Sequence, residues 1–313
     1  MNNQVKFAIL AIAITIPLSS YSVWASDSAL EFKKTDNDKI RVVSSFYPLY
    51  EFATKVGQEK VEVQLLVPEG VEPHDWEPTI QDVQNMEKSD LIIINGMGFE
   101  NWVEKLENMK YQGNILDTSL EIKVKKQIFE KHDNTDKKLS FENHIESGDP
   151  HIWLNPVLAK IQVQSIADEF SKLDPENTNF YQKNSYTYIS QLDDLDKNIR
   201  DELSNCNRDF IAFHDAFSYF SFEYGLNQHT IIPSNNPHAE PTAGTLEEIV
   251  NTAREYDLKI IFTEETADPR TAEIISNEIN GKILVLSPIE IGNDGNYISR
   301  MTENLNNLKE ALC

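Results

Sequence analysis

Three histidines stand where a strand or a charged loop gives way to the next element of the chain. His74 lies in the loop after the predicted strand 61–67, and His214 directly follows the predicted strand 209–213. His151 ends a charged stretch, just before a predicted helix. In open α/β sheets, ligands bind beyond the carboxyl ends of the strands, so these imidazoles are placed to meet. Three imidazoles suit a borderline transition metal, with zinc first, whereas a single histidine after a strand is more often an ordinary hydrogen-bonded loop residue.

Short apolar segments alternate with helical segments along the chain, which is typical of βαβ units and mostly parallel sheets. The strand-like segments are 40–46, 61–67, 90–94, 209–213, 229–232, 258–262 and 283–286. Between residues 175 and 203, apolar side chains recur at spacings of three and four. This pattern predicts one helix roughly 40 Å long, at about 1.5 Å per residue. The sequence therefore predicts an α/β protein of two lobes, joined by one long rigid backbone helix.

This alternation, together with the different composition of the first 39 residues, divides the chain into five parts. They are an N-terminal signal segment 1–25, a polar linker 26–39, an N-terminal metal-binding lobe 40–174, a backbone helix 175–204 and a C-terminal lobe 205–313. Within the first lobe, residues 125–149 form a charged stretch with six acidic residues in 130–149 and the histidines His132 and His144. We interpret this stretch as a solvated surface loop, and a weak metal-gathering role is the alternative.

The first 25 residues are typical of a secretory signal. Lys6 precedes an apolar run over residues 7–18, and residues of small or modest size lie before a cleavage point after Ala25. An uncleaved membrane anchor is the alternative, although Pro17 weakens a spanning helix. No cysteine lies near the cleavage point, which argues against a lipid-modified N-terminus. We therefore expect an exported chain that works in the periplasm or outside the cell.

The chain is acidic, with 28 Lys and Arg residues against 51 Asp and Glu residues and a formal net charge of −23 over 313 residues. Such a charge repels phosphate backbones, so nucleic acid is not an expected partner, and we expect a monomer.

The two cysteines, Cys206 and Cys313, are too few for a Cys-rich zinc module. In an exported chain they could form a disulfide, but the sequence does not decide between that pairing and two free thiols.

Three histidine-containing motifs resemble the signatures of zinc and manganese substrate-binding proteins of ABC transporters. They are Pro73-His-Asp-Trp-Glu-Pro-Thr79, Asp149-Pro-His-Ile-Trp-Leu-Asn-Pro156 and Phe213-His-Asp-Ala-Phe-Ser-Tyr219. Further similarity lies in residues 45–48, 95–102, 224–226 and 261–264, in order along the chain from about residue 40 to its end. The resemblance implies two α/β lobes joined by a rigid helix. It also implies a metal ion held between the lobes and delivered to a membrane permease.

The resemblance implies three metal ligands, His74, His151 and His214. Family members often carry an aspartate after the last strand, where this chain has Ser287, so the fourth ligand is open. The candidates are a water molecule, Glu264 and Glu72. We favour a water, with Glu264 as the preferred carboxylate, although Glu264 could instead orient a histidine. Three imidazoles without that aspartate favour zinc over manganese.

An exported mononuclear zinc hydrolase is the alternative from another functional class, because three histidines and a water also form a catalytic arrangement. The sequence has no glutamate beside a ligand histidine in a helical base motif, and it has no nucleophile elbow. A metal-bearing surface adhesin of the same fold is a second alternative. We expect a transport receptor without enzymatic activity.

Overall fold

The computed structural model of the chain describes residues 39–108, 111, 113–122, 148–232, 240–292 and 295–313. Within these residues it contains two four-stranded sheets, and every pair of neighbouring strands is parallel. Helices pack against both sheets, so the predicted α/β fold of two lobes is confirmed. The signal segment, nearly all of the linker and most of the charged stretch lie outside the described residues. What the sequence predicts for those segments stays a prediction.

The described part of the N-terminal lobe is built on one sheet with helices packed against it. Its strands are β1 (Ile40–Ser44), β2 (Val61–Leu65), β3 (Leu91–Ile94) and β4 (Ile115–Asp117), in the spatial order β2-β1-β3-β4. Its helices are α1 (Tyr47–Gly57), α2 (Ile80–Met86), α3 (Val103–Asn108) and α4 (Pro156–Leu173). All residues of β3 are buried, because both faces of a central parallel strand are covered. The sequence does not predict β4, since its three half-buried residues form no apolar run.

One helix of 26 residues, α5 (Thr178–Leu203), connects the two lobes. Its buried side chains have the predicted spacing and form one stripe: Tyr181, Ser185, Tyr188, Leu192, Leu195, Ile199 and Leu203. The helix packs against helices of both lobes, and the predicted connection by one long helix is confirmed. Neither α5 nor any other helix in the described part of the chain is long and apolar enough to cross a membrane.

The C-terminal lobe repeats the architecture of the first. Its strands are β5 (Asp209–His214), β6 (Asn227–Ile232), β7 (Ile260–Thr263) and β8 (Lys282–Val285), in the order β6-β5-β7-β8. Its helices are α6 (Ser218–Tyr224), α7 (Ala243–Glu255), α8 (Pro269–Ile279) and α9 (Tyr297–Leu312). A disulfide joins Cys206, just after α5, to Cys313 at the end of α9, with a Cα–Cα distance of 4.7 Å.

Hydrogen bonds from buried side chains join the lobes beside the carboxyl ends of their strands. The indole N–H of Trp153 donates to the backbone carbonyl of Pro288 at 2.7 Å, and the hydroxyl of Tyr297 donates to the carbonyl of Trp153. Glu51 on α1 accepts from the hydroxyl of Tyr188 on α5 at 3.0 Å and from the backbone N–H of Tyr297 on α9 at 2.7 Å. Buried polar groups of both lobes are therefore satisfied across the interface, which fixes how the two strand-end loops face each other.

Candidate metal centre

Four side chains direct ligand atoms at one point between the lobes. They are His74, His151, His214 and Glu290, and their ligand atoms all lie within 4.8 Å of one another. The Nε2 atom of His151 is 3.3 Å from that of His74 and 3.2 Å from that of His214. Oε1 of Glu290 is 3.1, 3.4 and 3.9 Å from the Nε2 atoms of His74, His151 and His214.

The ends of the strands place three of these four side chains. His74 lies in the loop that follows β2, and His214 is the last residue of β5. Glu290 lies in the loop between β8 and α9. His151 comes instead from the segment before α4, where it precedes a short 3₁₀ turn at Ile152–Leu154. Each lobe supplies two donors, so the site exists only where the lobes meet.

The turn after β3 supports two of the histidines from within the N-terminal lobe. The ring of Phe99 packs edge-on against the ring of His74, with 4.8 Å between centroids. The amide of Asn101 donates to the backbone carbonyl of His74 at 3.3 Å. The amide of Asn95 donates at 2.7 Å to the carbonyl of the residue before His151. The turn thus fixes the backbones that carry both imidazoles.

Carboxylates hold the far side of two imidazoles. Oδ1 of Asp149 is 2.8 Å from Nδ1 of His151, and Oε1 of Glu264 is 2.6 Å from Nδ1 of His214. A carboxylate beside Nδ1 accepts a hydrogen bond from the N–H of that nitrogen, so the lone pair of Nε2 is free to face the centre. These carboxylates therefore select the tautomer and the ring orientation that a metal ion requires.

Burial and close contact couple the charges of the cluster. Both His151 and His214 are fully buried, and the side chain of Glu290 is 2% exposed. Burial by itself would raise the pKa of Glu290, but the charge of His74 and hydrogen bonds from His151 and His74 hold it well below the usual glutamate range. Burial also opposes protonation of His151, yet hydrogen bonds to Asp149 and Glu290 raise its pKa to about 10. The metal-free centre therefore retains a proton at neutral pH, which a metal ion must displace.

The donor atoms and their separations fit a tetrahedral metal ion. Zinc binds imidazole nitrogen and carboxylate oxygen at about 2.0–2.2 Å, so neighbouring donors around a tetrahedral zinc lie about 3.3–3.6 Å apart. Five of the six separations, from 3.1 to 3.9 Å, bracket that range, and the sixth, between His74 and His214, is within 4.8 Å. Three nitrogens and one oxygen form a borderline donor set, which suits zinc better than manganese.

The structure brings the three predicted histidines together and places the predicted carboxylate elsewhere. Glu264 contacts Nδ1 of His214, on the side of the ring away from the centre. Glu290 occupies the place among the donors that the sequence analysis left to a water or to Glu264. No motif marks Glu290. The only available signal is an acidic residue a few positions beyond the last strand.

Two other predicted candidates also lie outside the group of four donors. Glu72 is half-buried beside His74, where Oε1 accepts from the backbone N–H of His74 at 3.2 Å and Oε2 accepts from the hydroxyl of Thr266 at 3.4 Å. Burial, with the nearby charge of Glu290, raises the pKa of Glu72 to about 8. The hydroxyl of Ser287 meets α9 and not the histidines, because its partner is the guanidinium of Arg300 at 2.7 Å.

Of the other four histidines, the structure describes one, and it lies away from the four donors. His229 lies on β6, where its Nε2 is 3.0 Å from Oδ1 of Asp209. Residues His132, His144 and His238 lie outside the described residues.

Comparison with known proteins identifies relatives along nearly the whole chain. Residues 42–311 match the family ZnuA, described as zinc-uptake complex component A, periplasmic. The chain is 38% identical over 288 residues to the high-affinity zinc uptake system protein ZnuA of Bacillus subtilis, and the alignment covers 88% of each protein. It is 33% identical over 294 residues to the zinc-binding protein AdcA of Streptococcus pyogenes. That alignment covers 87% of this chain and 56% of AdcA, so the chain spans little more than half of that relative.

A solved structure shares both the fold and the sequence similarity. The Zn(II)-bound ZnuA-like domain of Streptococcus pneumoniae AdcA superposes with a TM-score of 0.72 at 31% sequence identity. The superposition covers 87% of this chain and 98% of that domain. The matched range contains all four residues of the cluster and both lobes. On the extent of these matches, the chain belongs to the ZnuA family of zinc-uptake complex components.

Proposed function

We propose that this chain is an exported receptor that binds one zinc ion between its lobes and delivers it to an ABC-transporter permease. The observation that carries the proposal is the convergence of four donor atoms, two from each lobe, on one buried point. His74, His151 and His214 supply neutral nitrogen, and Glu290 supplies one anionic oxygen. Zinc is the cargo of this site and not a resident cofactor.

The surroundings of the donors support capture of a divalent cation. Glu290 is itself one of the four donors, and Asp149 and Glu264 contact the Nδ1 atoms of His151 and His214. Together these three carboxyl groups would offset the charge of a buried divalent cation. Manganese is the weaker competitor, because it lies lowest in the affinity order of divalent first-row metals and prefers oxygen donors. The proposed preference is therefore for zinc over manganese.

The donor set also argues against the hydrolase alternative. Catalytic zinc sites keep one coordination position for water or substrate, whereas structural and storage sites fill all four with protein atoms. Here a fourth protein donor, Oε1 of Glu290, lies as close to the imidazoles as they lie to one another. We therefore propose a binding protein without catalytic turnover.

We also propose that it acts as a monomer, and its net charge of −23 argues against nucleic acid as a partner.

A competition titration against a chromogenic zinc chelator tests the proposal. The purified protein should bind one zinc ion. Single changes His74→Ala, His151→Ala and His214→Ala should each weaken binding by more than about a hundredfold, since loss of an outer-shell partner already costs up to that amount. His229→Ala is the matched control and should bind zinc as the parent does. Equal losses in the control and the three variants would contradict the proposed site.

Growth on zinc-depleted medium separates transport from adhesion, which the same fold could also serve. Cells that lack this protein should grow poorly when a chelator limits zinc, and the parent sequence should restore growth. The His214→Ala variant should not restore it. Growth that is independent of the protein at every zinc concentration would contradict a role in uptake.

A further inference from the structure

The turn that carries Glu290 has a sterically disfavoured backbone. Ile289 has a φ of +57°, in the left-handed region that a β-branched side chain rarely adopts. Its side chain is fully buried in the main core. Such a conformation persists only where the surrounding structure holds it in place. The question is therefore which contacts hold this turn, since they also decide where the carboxylate of Glu290 points.

One buried guanidinium holds both ends of the turn. Arg300, in the first turn of α9, is 4% exposed. Its Nη1 donates to the backbone carbonyl of Ile291 at 2.6 Å, and its Nη2 donates to the hydroxyl of Ser287 at 2.7 Å. The same hydroxyl accepts from the backbone N–H of Ile289 at 3.1 Å. Arg300 thus connects Ser287, two residues before the strained position, to Ile291, the residue after Glu290.

The charge of Arg300 is balanced locally, so it does not oppose a cation at the centre. Its Nη2 also donates to Oε1 of Glu265 at 2.6 Å. A guanidinium can serve these three acceptors together, because its five N–H groups point in fixed directions. The ammonium group of a lysine has no such planar arrangement.

We propose that Arg300 is a positioning residue for the metal site: it commits the side chain of position 287 to α9 and turns the side chain of position 290 toward the histidines. The proposal rests on the zinc-binding function proposed above. Ser287, which stands where family members often carry an aspartate, contacts Arg300 and not the imidazoles. The donor that reaches the imidazoles comes from three residues later in the same loop.

A double-mutant cycle on zinc affinity distinguishes this role from a purely structural one. Arg300→Gln should weaken zinc binding by about ten- to a hundredfold, the usual effect of losing a residue that orients a ligand. Glu290→Gln should weaken it further. If Arg300 acts through Glu290, the double variant should bind zinc as Glu290→Gln alone does, because coupled residues give non-additive effects. Arg270→Gln, which removes an exposed arginine of the same lobe paired with Asp268, is the control and should change nothing.

A second measurement reports the coordination directly. With cobalt(II) in place of zinc, the visible spectrum of Arg300→Gln should shift toward that of Glu290→Gln, since both lose the carboxylate donor. If Arg300→Gln does not fold, Arg300→Lys keeps the charge but not the planar fork. That variant should show a smaller loss of affinity, which disappears in the Glu290→Gln background.

Additive losses in the double variant, or an unchanged affinity and spectrum in Arg300→Gln, would overturn the positioning role. Zinc binding that Glu290→Gln leaves unchanged would also overturn it, because the residue it positions would not be a ligand. A parent protein that binds no zinc is a different result, since it contradicts the proposed function itself. The two failures are therefore distinguishable.

Discussion

Trp153 donates its indole N–H to the backbone carbonyl of Pro288 at 2.7 Å, and each residue stands two positions from a donor of the metal centre. Trp153 follows His151 in the N-terminal lobe, and Pro288 precedes Glu290 in the C-terminal lobe. This hydrogen bond, together with that from Tyr297 to Trp153, therefore ties the segment of one donor to the segment of a donor in the other lobe. The geometry of the centre depends on the interface as well as on the four donors.

Trp153→Phe should weaken zinc binding while keeping the aromatic packing of this buried position. The change leaves the carbonyl of Pro288 without its donor, which costs about 1–3 kcal/mol of unfolding free energy when the group is buried. Zinc affinity should fall because the two donor segments are no longer joined. Urea unfolding and chelator competition measure the two effects. Tyr181→Phe is the control, since it removes the hydrogen bond of another buried aromatic side chain, to Asp174 just before α5, and equal effects of both changes would contradict this role.

Glu290→Gln should weaken zinc binding more than Glu264→Gln. The first change removes the anionic oxygen from the proposed donor set. The second keeps an acceptor beside Nδ1 of His214 and removes only a charge outside that set. Loss of a residue that orients a ligand costs about ten- to a hundredfold in affinity, so Glu264→Gln should stay within that range. A competition titration that gives the reverse order would restore Glu264 as the carboxylate ligand.

Zinc binding should release about one proton near neutral pH, because metal binding requires the neutral imidazole. Hydrogen bonds to Asp149 and Glu290 raise the pKa of His151 to about 10 against the effect of burial, so the metal-free protein holds this proton at pH 7. Apparent zinc affinity should therefore rise with pH by up to about tenfold per unit, until pH approaches that pKa. Calorimetry in buffers of different ionisation enthalpy measures the proton release. A result of no released protons at pH 7 would contradict the protonated state of the free centre.

Ser287→Asp should not raise manganese affinity, contrary to what the family resemblance alone suggests. The new carboxylate would meet the guanidinium of Arg300, which lies 2.7 Å from the present hydroxyl. It would form an ion pair there and would not reach the imidazoles. Competition titrations with both metals test this outcome. A rise in manganese affinity larger than any rise for zinc would show that position 287 faces the centre.

Removal of the disulfide should lower stability and leave zinc affinity unchanged. Cys206 and Cys313 close a segment of 107 residues, and native disulfides typically contribute about 2–4 kcal/mol to the free energy of unfolding. Cys206 precedes the first residue of β5 by three positions, whereas His214 ends that strand, and six residues of strand span about 20 Å. Urea unfolding of the Cys206→Ser, Cys313→Ser double variant measures the first effect. A loss of zinc affinity comparable to that of Glu290→Gln would contradict the separation.

The parts of the structure that follow from local patterns could be predicted from the sequence. The stripe on α5 from Tyr181 to Leu203 is periodic over about six turns, and the spacing identifies its buried residues except that Ser185 is buried in place of the expected Asn184. The three histidines stand at strand or loop ends, where sheet topology brings side chains together. In both cases the signal lies in the residues themselves.

Glu290 and β4 show where sequence patterns stop being sufficient. The direction of the Glu290 side chain depends on the positive φ of Ile289 and on a guanidinium ten residues away in sequence. Neither the backbone angle of Ile289 nor the contact with the guanidinium of Arg300 produces a periodic pattern or a motif in the sequence. The three residues of β4 are half-buried and form a strand because β3 offers them a parallel partner. Tertiary contacts, and not local propensity, determine both features.

The bond between Cys206 and Cys313 makes the C-terminal lobe a covalent ring. Every residue from Cys206 to Cys313 belongs to it, and α5 enters the ring at the point where it closes. A protease that cuts one peptide bond inside the ring adds one water molecule and leaves the two pieces joined by the disulfide, so no fragment leaves. Only a reductant, or a second cut, separates the pieces. For a chain expected to work among secreted proteases, the lobe that carries His214 and Glu290 would stay attached to its partner after a first cleavage.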